Sequence, residues 1–350
     1  MSDAKPTVLK QFEDQALICE KLGSPFTARI LRLLAARLDR STQFGRRILD
    51  WAHDPYGDNL ALRAAGALHA LARTGTTPDL AASYPPHDVD DARMWSAIAA
   101  QLGPQAQFLD RRLDSAPQTN EVARSALLLG AMLTIAHRTG LPLELYEIGA
   151  SAGLNLGVDE YRYELGEGRV WGRPDAPLTI DCPWRGATPP LHAPLSVVGR
   201  HGCDLNPLDA TSLADRERLL SYVWADQTTR LERVSAALNV AAAEHRKIDR
   251  ADAADWLDAQ WSEPQPAGLA RVLYHTIVWQ YLPEHTKTRI DALLHRLGDE
   301  ATTDRPLARI SFEQDGQPTR GGAIVLTTWP GGESVELGRG DFHGRWAEWN

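Results

Sequence analysis

Hydrophobic positions over roughly the first 135 residues recur every three or four residues, a spacing typical of amphipathic helices. Helices are predicted in six segments, which are residues 11–21, 26–37, 44–52, 60–74, 91–102 and 121–138. Turn-forming clusters that contain proline separate some of them, at residues 23–25, 54–57 and 84–86. Residues 1–135 are therefore predicted to form a helical N-terminal region, which we expect to act as a lid or as a wall of a substrate site.

After Pro142 the pattern changes to strands that alternate with helices. Strands are predicted at residues 143–148, 195–203, 247–250, 269–276, 308–313, 323–328 and 334–337, with a further short candidate at 345–349. Helices are predicted at residues 215–244, with a break near Trp224, and at residues 253–260 and 286–297. This alternation predicts an α/β domain over residues 136–350, with a mostly parallel sheet and an antiparallel C-terminal edge. A hairpin and a proline-rich loop form a predicted insertion at residues 158–195.

Composition and charge narrow the classes of protein. The chain has 350 residues, and its 46 acidic against 37 basic side chains give a net charge of -9, which disfavours a nucleic-acid-binding surface. Three widely spaced cysteines form no CxxC pair, so no metal site is expected. No apolar run reaches the roughly 20 residues that span a bilayer, and the first residues lack an apolar secretory segment. We therefore expect a cytoplasmic protein without a membrane partner.

The stretch that carries the most chemical information lies between the strand at 143–148 and a predicted helix. It reads Glu147-Ile148-Gly149-Ala150-Ser151-Ala152-Gly153-Leu154-Asn155. The five small residues at 149–153 would let a ligand approach the backbone, and N–H groups at a following helix start bind polar or anionic groups. Glu147 would accept a hydrogen bond from a ligand, and a larger side chain at position 149 would fill ligand space. The alternative is a tight strand-to-helix connection without a ligand.

The same stretch satisfies G-x-S-x-G, the nucleophile elbow of α/β-hydrolases, with Ser151 as the nucleophile. His343 follows late in the chain, as that fold requires. However, the residues upstream of Ser151 are predicted to be helical, and no oxyanion-loop motif precedes it. A serine hydrolase therefore stays an alternative.

The string acid-x-Gly-x-x-x-Gly, formed by Glu147, Gly149 and Gly153, also resembles the first glycine motif of class I S-adenosylmethionine (SAM) methyltransferases. The segment Cys203-Asp204-Leu205-Asn206-Pro207 is similar to the end of their second strand, where an acid binds the ribose hydroxyls. Asp252 resembles the third-strand acid near the adenine amine, and residues 272–276 occupy the fourth-strand position. Asp204 follows Glu147 by far more than the roughly 20 residues usual in such folds, which reflects the predicted insertion.

Over its whole length the chain also resembles an uncharacterised bacterial family, a domain of unknown function with a methyltransferase-like core. The segments that carry this resemblance are residues 118–121, 147–155, 202–207, 222–227, 278–282 and 342–344. The resemblance implies a Rossmann-like, SAM-methyltransferase-type sheet from about residue 120 onwards.

The resemblance to the methyltransferase motifs implies a SAM-dependent methyltransferase, whereas the bacterial-family resemblance supports the fold more than the reaction. The negative net charge and the expected helical lid favour a small molecule as the methyl acceptor. The residues expected to bind SAM are Glu147, Gly149, Ala150, Ser151, Gly153, Asn155, Asp204 and Asp252. Those expected to bind the substrate are Asn120, Trp224, Gln227, Trp279 and Tyr281. His275 is the candidate catalytic base and Asp226 the second candidate, since a base is needed only if the acceptor must lose a proton. A buried structural role for His275 and a SAM- or nucleotide-binding protein without catalysis are the alternatives.

Overall fold

The computed structural model describes residues 7–317 and 320–350. They form two compact units, one made of residues 7–119 and 213–232, the other of residues 120–212 and 233–350. The boundary therefore lies before residue 120 rather than at 135, and a second segment returns to the first unit. The first six residues, on which the expectation about a secretory segment depends, lie outside the described residues.

The predicted helices of the N-terminal region form, together with two short ones that the periodicity did not show. The α-helices of the described residues are α1 (Thr7–Lys21), α2 (Pro25–Arg37), α3 (Gln43–Leu49), α4 (Leu60–Arg73), α5 (Pro78–Ala81), α6 (Asp91–Leu102), α7 (Ala106–Leu113), α8 (Ser125–Thr139), α9 (Leu213–Tyr222), α10 (Thr228–Ala243), α11 (Ala253–Gln260) and α12 (Glu284–Glu300). Within the described residues, no helix is both long enough and apolar enough to cross a membrane.

In the helical unit, α1, α2 and α4 bury their apolar faces in a common core. The buried ring of Tyr222 at the end of α9 packs against Gly66 of α4, where a Cβ atom would lie only 2.7 Å from it. This packing explains why residues 213–232 belong to the helical unit. By contrast, α8 is buried on almost every side and packs on the sheet, so it belongs to the α/β unit.

The α/β unit is built on a mixed sheet. Its strands and those of the small sheet beside it are β1 (Leu143–Ile148), β2 (Arg162–Glu164), β3 (Val170–Trp171), β4 (Thr179–Asp181), β5 (Trp184–Gly186), β6 (Val197–Asp204), β7 (Asp249–Arg250), β8 (Ala270–Thr276), β9 (Leu307–Glu313), β10 (Gly322–Trp329), β11 (Glu333–Gly340) and β12 (Ala347–Trp349). The nine-stranded sheet has the order β5-β12-β11-β10-β9-β8-β1-β6-β7. The strands β7, β6, β1, β8 and β9 are parallel, and β10, β11 and β12 pair antiparallel at the C-terminal side. The predicted mostly parallel sheet with an antiparallel C-terminal edge is confirmed.

The order of the parallel strands reverses at β1. From β1 the chain first builds one side of the sheet with β6 and β7, and then the other side with β8 and β9. In open α/β sheets this reversal opens a crevice outside the carboxyl ends of the two central strands, and ligands bind there. The carboxyl ends of β1 and β8 therefore mark the place where a site is expected.

The connection from β1 to β6 contains the predicted insertion. The predicted hairpin forms as β2 and β3, and β4 joins them in a small three-stranded sheet. The sequence showed only a proline-rich loop at β4 and β5, because each strand is three residues long. Moreover, β5 pairs in parallel with β12 at the far edge of the large sheet, a contact that no local pattern signals.

Candidate functional site

The glycine-rich turn follows β1 directly and is strongly bent. Gly149 (φ 69°) and Gly153 (φ 70°) have left-handed backbones, and so does Ser151 (φ 54°). A single 3₁₀ turn, Leu154–Gly157, follows it. The helix predicted after this turn forms only as this short 3₁₀ turn, which is too short to provide the helix N-terminus that was expected to bind an anion.

Two side chains hold this turn in place, one from a residue before the turn in the sequence and one from a residue after it. Asp204, at the end of β6, accepts a hydrogen bond through Oδ2 from the Ser151 amide at 2.9 Å. The buried Oδ1 of Asn120 accepts from the amides of Ala152 (3.2 Å) and Leu154 (3.1 Å). The protein therefore satisfies these amides itself, and Asn120, predicted to bind substrate, is in this structure a clamp on the turn.

Glu147, the last residue but one of β1, is buried, with 1 % of its surface exposed. Tyr274 is the neighbour of Glu147 on the adjacent strand β8, and its hydroxyl donates to Oε2 at 3.3 Å. Asn155 provides a further hydrogen bond. Burial raises the pKa of Glu147 from its ordinary 4.5 to about 8, and the charge of Asp204 acts in the same direction. At neutral pH this carboxyl group is therefore mostly protonated, so it can donate as well as accept a hydrogen bond.

The second group of polar residues follows β8 and surrounds His275. The His275 Nδ1 atom lies 2.7 Å from Glu313 Oε1, and the guanidinium of Arg309 donates to Nε2. Because arginine can only donate, Nε2 is the acceptor and Nδ1 carries the proton. Burial, together with Arg309, lowers the pKa of His275. His275 is thus neutral, and both of its ring nitrogens are engaged.

Backbone strain is concentrated at the same edge of the sheet. Ile277, just after β8, has φ 52°, a conformation that a β-branched residue rarely adopts. Glu313 Oε1 accepts from the next two amides, those of Val278 (3.1 Å) and Trp279 (3.2 Å). Asn120 and Ser151 also have positive φ angles. Strained residues cluster at ligand sites because the surrounding structure must maintain them, so this edge is the best candidate for the functional site.

Val278 connects the glycine-rich turn with the polar residues around His275. A Cβ atom added to Gly149 would lie 2.4 Å from Val278 Cγ2. The space beside Gly149 is thus filled by the protein itself. The expectation that a larger residue at position 149 would fill ligand space is therefore wrong, because it would first meet Val278.

Two predicted acids serve as helix caps. Asp252 accepts from the Ala254 amide at 2.9 Å at the start of α11, and the Thr286 hydroxyl donates to its other oxygen. Asp226 lies in the helical unit, where it accepts from the Ser24 hydroxyl and the Phe26 amide at the start of α2. Aspartate is favoured at helix starts because it binds amides that lack a partner within the helix. Both carboxylates are engaged in this way.

The remaining predicted residues divide between the two units. Trp224 packs against the core of the helical unit, and Gln227 of the same unit accepts from Arg230 at 3.0 Å. In the α/β unit, Trp279 stacks on His275 with ring centroids 5.0 Å apart. Tyr281, three residues after Val278, is 65 % exposed. Of the predicted substrate residues, only Asn120, Trp279 and Tyr281 thus belong to the unit that contains the glycine-rich turn.

The hydrolase alternative requires a histidine at Ser151. The Ser151 hydroxyl is buried and has no hydrogen-bond partner within the described residues. His275 is engaged by Glu313 and Arg309, and the His343 amide donates to Asp341. The described part of the chain therefore assembles no Ser-His pair at this turn. It also contains no group of three or more His, Cys, Asp or Glu side chains that could hold a metal ion.

Sequence reasoning missed Glu313, Arg309, Tyr274 and Val278. Glu313 had a signal, since it is an acid at the end of a predicted strand, and Glu147 lies one residue before the end of another. Arg309 and Tyr274 lie inside predicted strands, and their partners depend on which strands are neighbours and in what register. Val278 looked like an ordinary apolar residue.

The fold and the site define the class of protein. It is an α/β protein with a glycine-rich turn at the point where the strand order reverses. A family model described as "Uncharacterized protein conserved in bacteria (DUF2332)" matches residues 9–349. The chain belongs to this bacterial family, as its sequence resemblance predicted. Searches of the curated proteins and of the solved structures found no match. The assignment of a function therefore depends on the site itself.

Proposed function

We propose that this protein is a SAM-dependent methyltransferase that acts on a small molecule and binds SAM at the carboxyl ends of β1 and β6. One contact carries the proposal: Asp204 ends β6 and binds the Ser151 amide of the turn that ends β1. It brings the acid and the glycine-rich turn of the methyltransferase-like pattern together although the insertion separates them in sequence. Both lie at the edge where open α/β sheets bind ligands.

The residues around Asp204 suit a nucleoside. Leu205, directly after this acid, is 63 % exposed. It offers an apolar surface to a purine ring, and the Asp204 carboxylate beside it suits ribose hydroxyls. Glu147 has a mostly protonated carboxyl group that could bind a polar group of the ligand. In the sequence, the small residues 149–153 lie between Glu147 and Asp204.

When bound, SAM would supply a methyl group on an electrophilic sulfonium. The protein's main task is then to align an acceptor with that carbon. Glu313 holds the proton of His275 on Nδ1, so Nε2 is the nitrogen that would act as the base. Arg309 binds that lone pair, so it must release Nε2 before His275 can take a proton from an acceptor.

The test is titration calorimetry with SAM and with S-adenosylhomocysteine. We expect the wild-type protein to bind both, and Leu205→Ser to weaken binding about tenfold through lost apolar contact. Val198→Ser is the matched control, because Val198 is also exposed (60 %) but lies at the amino end of β6. Failure of the wild-type protein to bind either compound would refute the proposal. Binding without methyl transfer to any of a panel of small nucleophiles would favour the non-catalytic alternative.

A further inference from the structure

The segment that follows β8, residues 277–281, lies against the glycine-rich turn, and we term it the strap. Its contact with the turn is the side chain of Val278, whose Cγ2 and Cβ atoms lie 2.4 and 2.9 Å from the position of a Cβ atom added to Gly149. We infer that Val278 determines how closely a ligand approaches the glycine-rich turn, and so limits the affinity of the site. This inference rests on the proposed function.

The strap is held in a defined conformation. The Ile277 amide donates to the Phe312 carbonyl at 2.9 Å, and the amides of Val278 and Trp279 donate to Glu313. These three bonds to the end of β9 offset the cost of the left-handed backbone of Ile277. Val278 is therefore positioned against the turn by specific bonds, and Glu313 is the positioning residue.

The next residue anchors the strap on its other side. Trp279 stacks on His275, and the guanidinium of Arg309 lies 4.1 Å from the centroid of its indole ring. Because Trp279 is held in this way, truncation of Val278 opens space beside Gly149 without releasing the strap backbone. The valine side chain can thus be tested separately from the conformation of the segment.

The site has to accommodate this side chain whenever a ligand binds. A ligand that approaches the Gly149 backbone from the side of Val278 either displaces the two methyl groups of Val278 or stops short of the turn. Both cases reduce affinity, because the first sacrifices apolar contacts of Val278 and the second leaves ligand surface uncovered. The variant Val278→Ala should therefore bind more tightly than the wild-type protein, which is the opposite of the usual result for truncating a side chain in a binding site.

The test is calorimetric titration of S-adenosylhomocysteine into the wild-type protein, Val278→Ala and the control Val198→Ala. We expect Val278→Ala to bind about three- to tenfold more tightly and the control to match the wild-type protein. If the wild-type protein binds and Val278→Ala binds equally or more weakly, the inference is overturned and the proposed function stands. Binding by Val278→Ala alone would support both. Absence of binding in both proteins would overturn both.

A larger side chain provides a second test that does not depend on the stability of the alanine variant. Val278→Leu places an additional methylene group toward Gly149, so we expect weaker binding, by about fivefold or more. Its melting temperature and circular dichroism spectrum establish that it is folded. Unchanged affinity of the folded Val278→Leu protein would overturn the inference by itself.

Discussion

Arg309 donates from Nε and Nη2 to the Nε2 atom of His275, at 3.1 and 3.0 Å. If His275 were protonated, its Nε2 atom could no longer accept these two hydrogen bonds, and two cations would be in contact. The histidine lies between a cation on one ring nitrogen and the Glu313 carboxylate on the other, and burial adds to the cost of a charge. The folded protein therefore opposes protonation of His275.

Since the pKa of His275 is lowered in the folded protein, its contribution to stability is present above its ordinary pKa of 6.5 and is lost as the pH falls below that value. We expect the free energy of unfolding of the wild-type protein, measured by urea denaturation, to decline between pH 6.5 and 5. The decline should be smaller in His275→Gln. The exposed His285 of α12 supplies the control, because His285→Gln should keep the wild-type slope. Equal slopes for all three proteins would contradict the assigned environment of His275.

Glu147 should give a pH dependence of opposite sign. Its folded-state pKa of about 8 lies above its ordinary 4.5, so its contribution is present below pH 4.5 and is lost as the pH rises toward 8. Because each pKa unit corresponds to about 1.4 kcal/mol, we expect a loss of a few kcal/mol over this range. Glu147→Gln should unfold at similar urea concentrations at pH 5 but be more stable than the wild-type protein at pH 9. Glu348→Gln, exposed on β12, is the control, and a Glu147→Gln variant without an advantage at pH 9 would disprove the burial of a protonated acid.

Asn120 should be required for the shape of the glycine-rich turn. In Asn120→Ala the buried amides of Ala152 and Leu154 lose their acceptor, so we expect a loss of roughly 2–4 kcal/mol in the free energy of unfolding. Asn120→Asp keeps an acceptor oxygen and should retain most of the stability. If the two variants were equally stable in chemical denaturation, the clamp would have no energetic role.

Gly149 and Gly268 provide a matched pair for the contact with Val278. Both have positive φ angles, but a Cβ atom at Gly268 would have no neighbour within 4 Å. Gly268→Ala should therefore cost about 1–2 kcal/mol for its backbone alone, and Gly149→Ala at least about 1 kcal/mol more for the contact with Val278. Adding Val278→Ala should recover that difference in a double-mutant cycle followed by thermal denaturation. Additive effects would show that the two side chains do not compete for the same space.

Ser151 should not react as a nucleophile. Its hydroxyl is buried, and within the described residues it has no partner that could remove its proton. We expect a fluorophosphonate probe to leave the protein unlabelled by intact-mass spectrometry. Labelling that disappears in Ser151→Ala would establish the hydrolase alternative.

The periodicity of the sequence determined most of the local structure. The strand β8 and the helix α12, for example, can each be predicted from the pattern of apolar and polar residues within the segment itself. The alternation of strands and helices favours parallel crossovers, but it does not report where the strand order reverses. The helix predicted at 215–244 divides into α9 and α10 on either side of Trp224, where a break was expected. By contrast, residues 213–232 belong to the helical unit because of packing that periodicity does not report.

The site itself was predicted in part. The small residues at 149–153 and the acid Asp204 stand out in the sequence because of their chemistry, and the structure brings them into contact. Whether an aspartate faces a ligand or caps a helix depends on which backbone amides come within reach. Asp252 and Asp226 illustrate this, since both were predicted as functional acids and both bind amides at helix starts.

The sequence by itself therefore determined the kinds of segment and the positions of the small and acidic residues, because hydrophobic periodicity and turn chemistry act over a few neighbouring residues. Only the tertiary structure decided the partners. Tyr274 meets Glu147 through strand register across 127 positions, and Asp204 meets Ser151 across 53. Val278 fills the space beside Gly149 because the strap is held to the end of β9. Such contacts depend on strand order, register and the backbone angles of a few strained residues, which arise only when distant segments pack together.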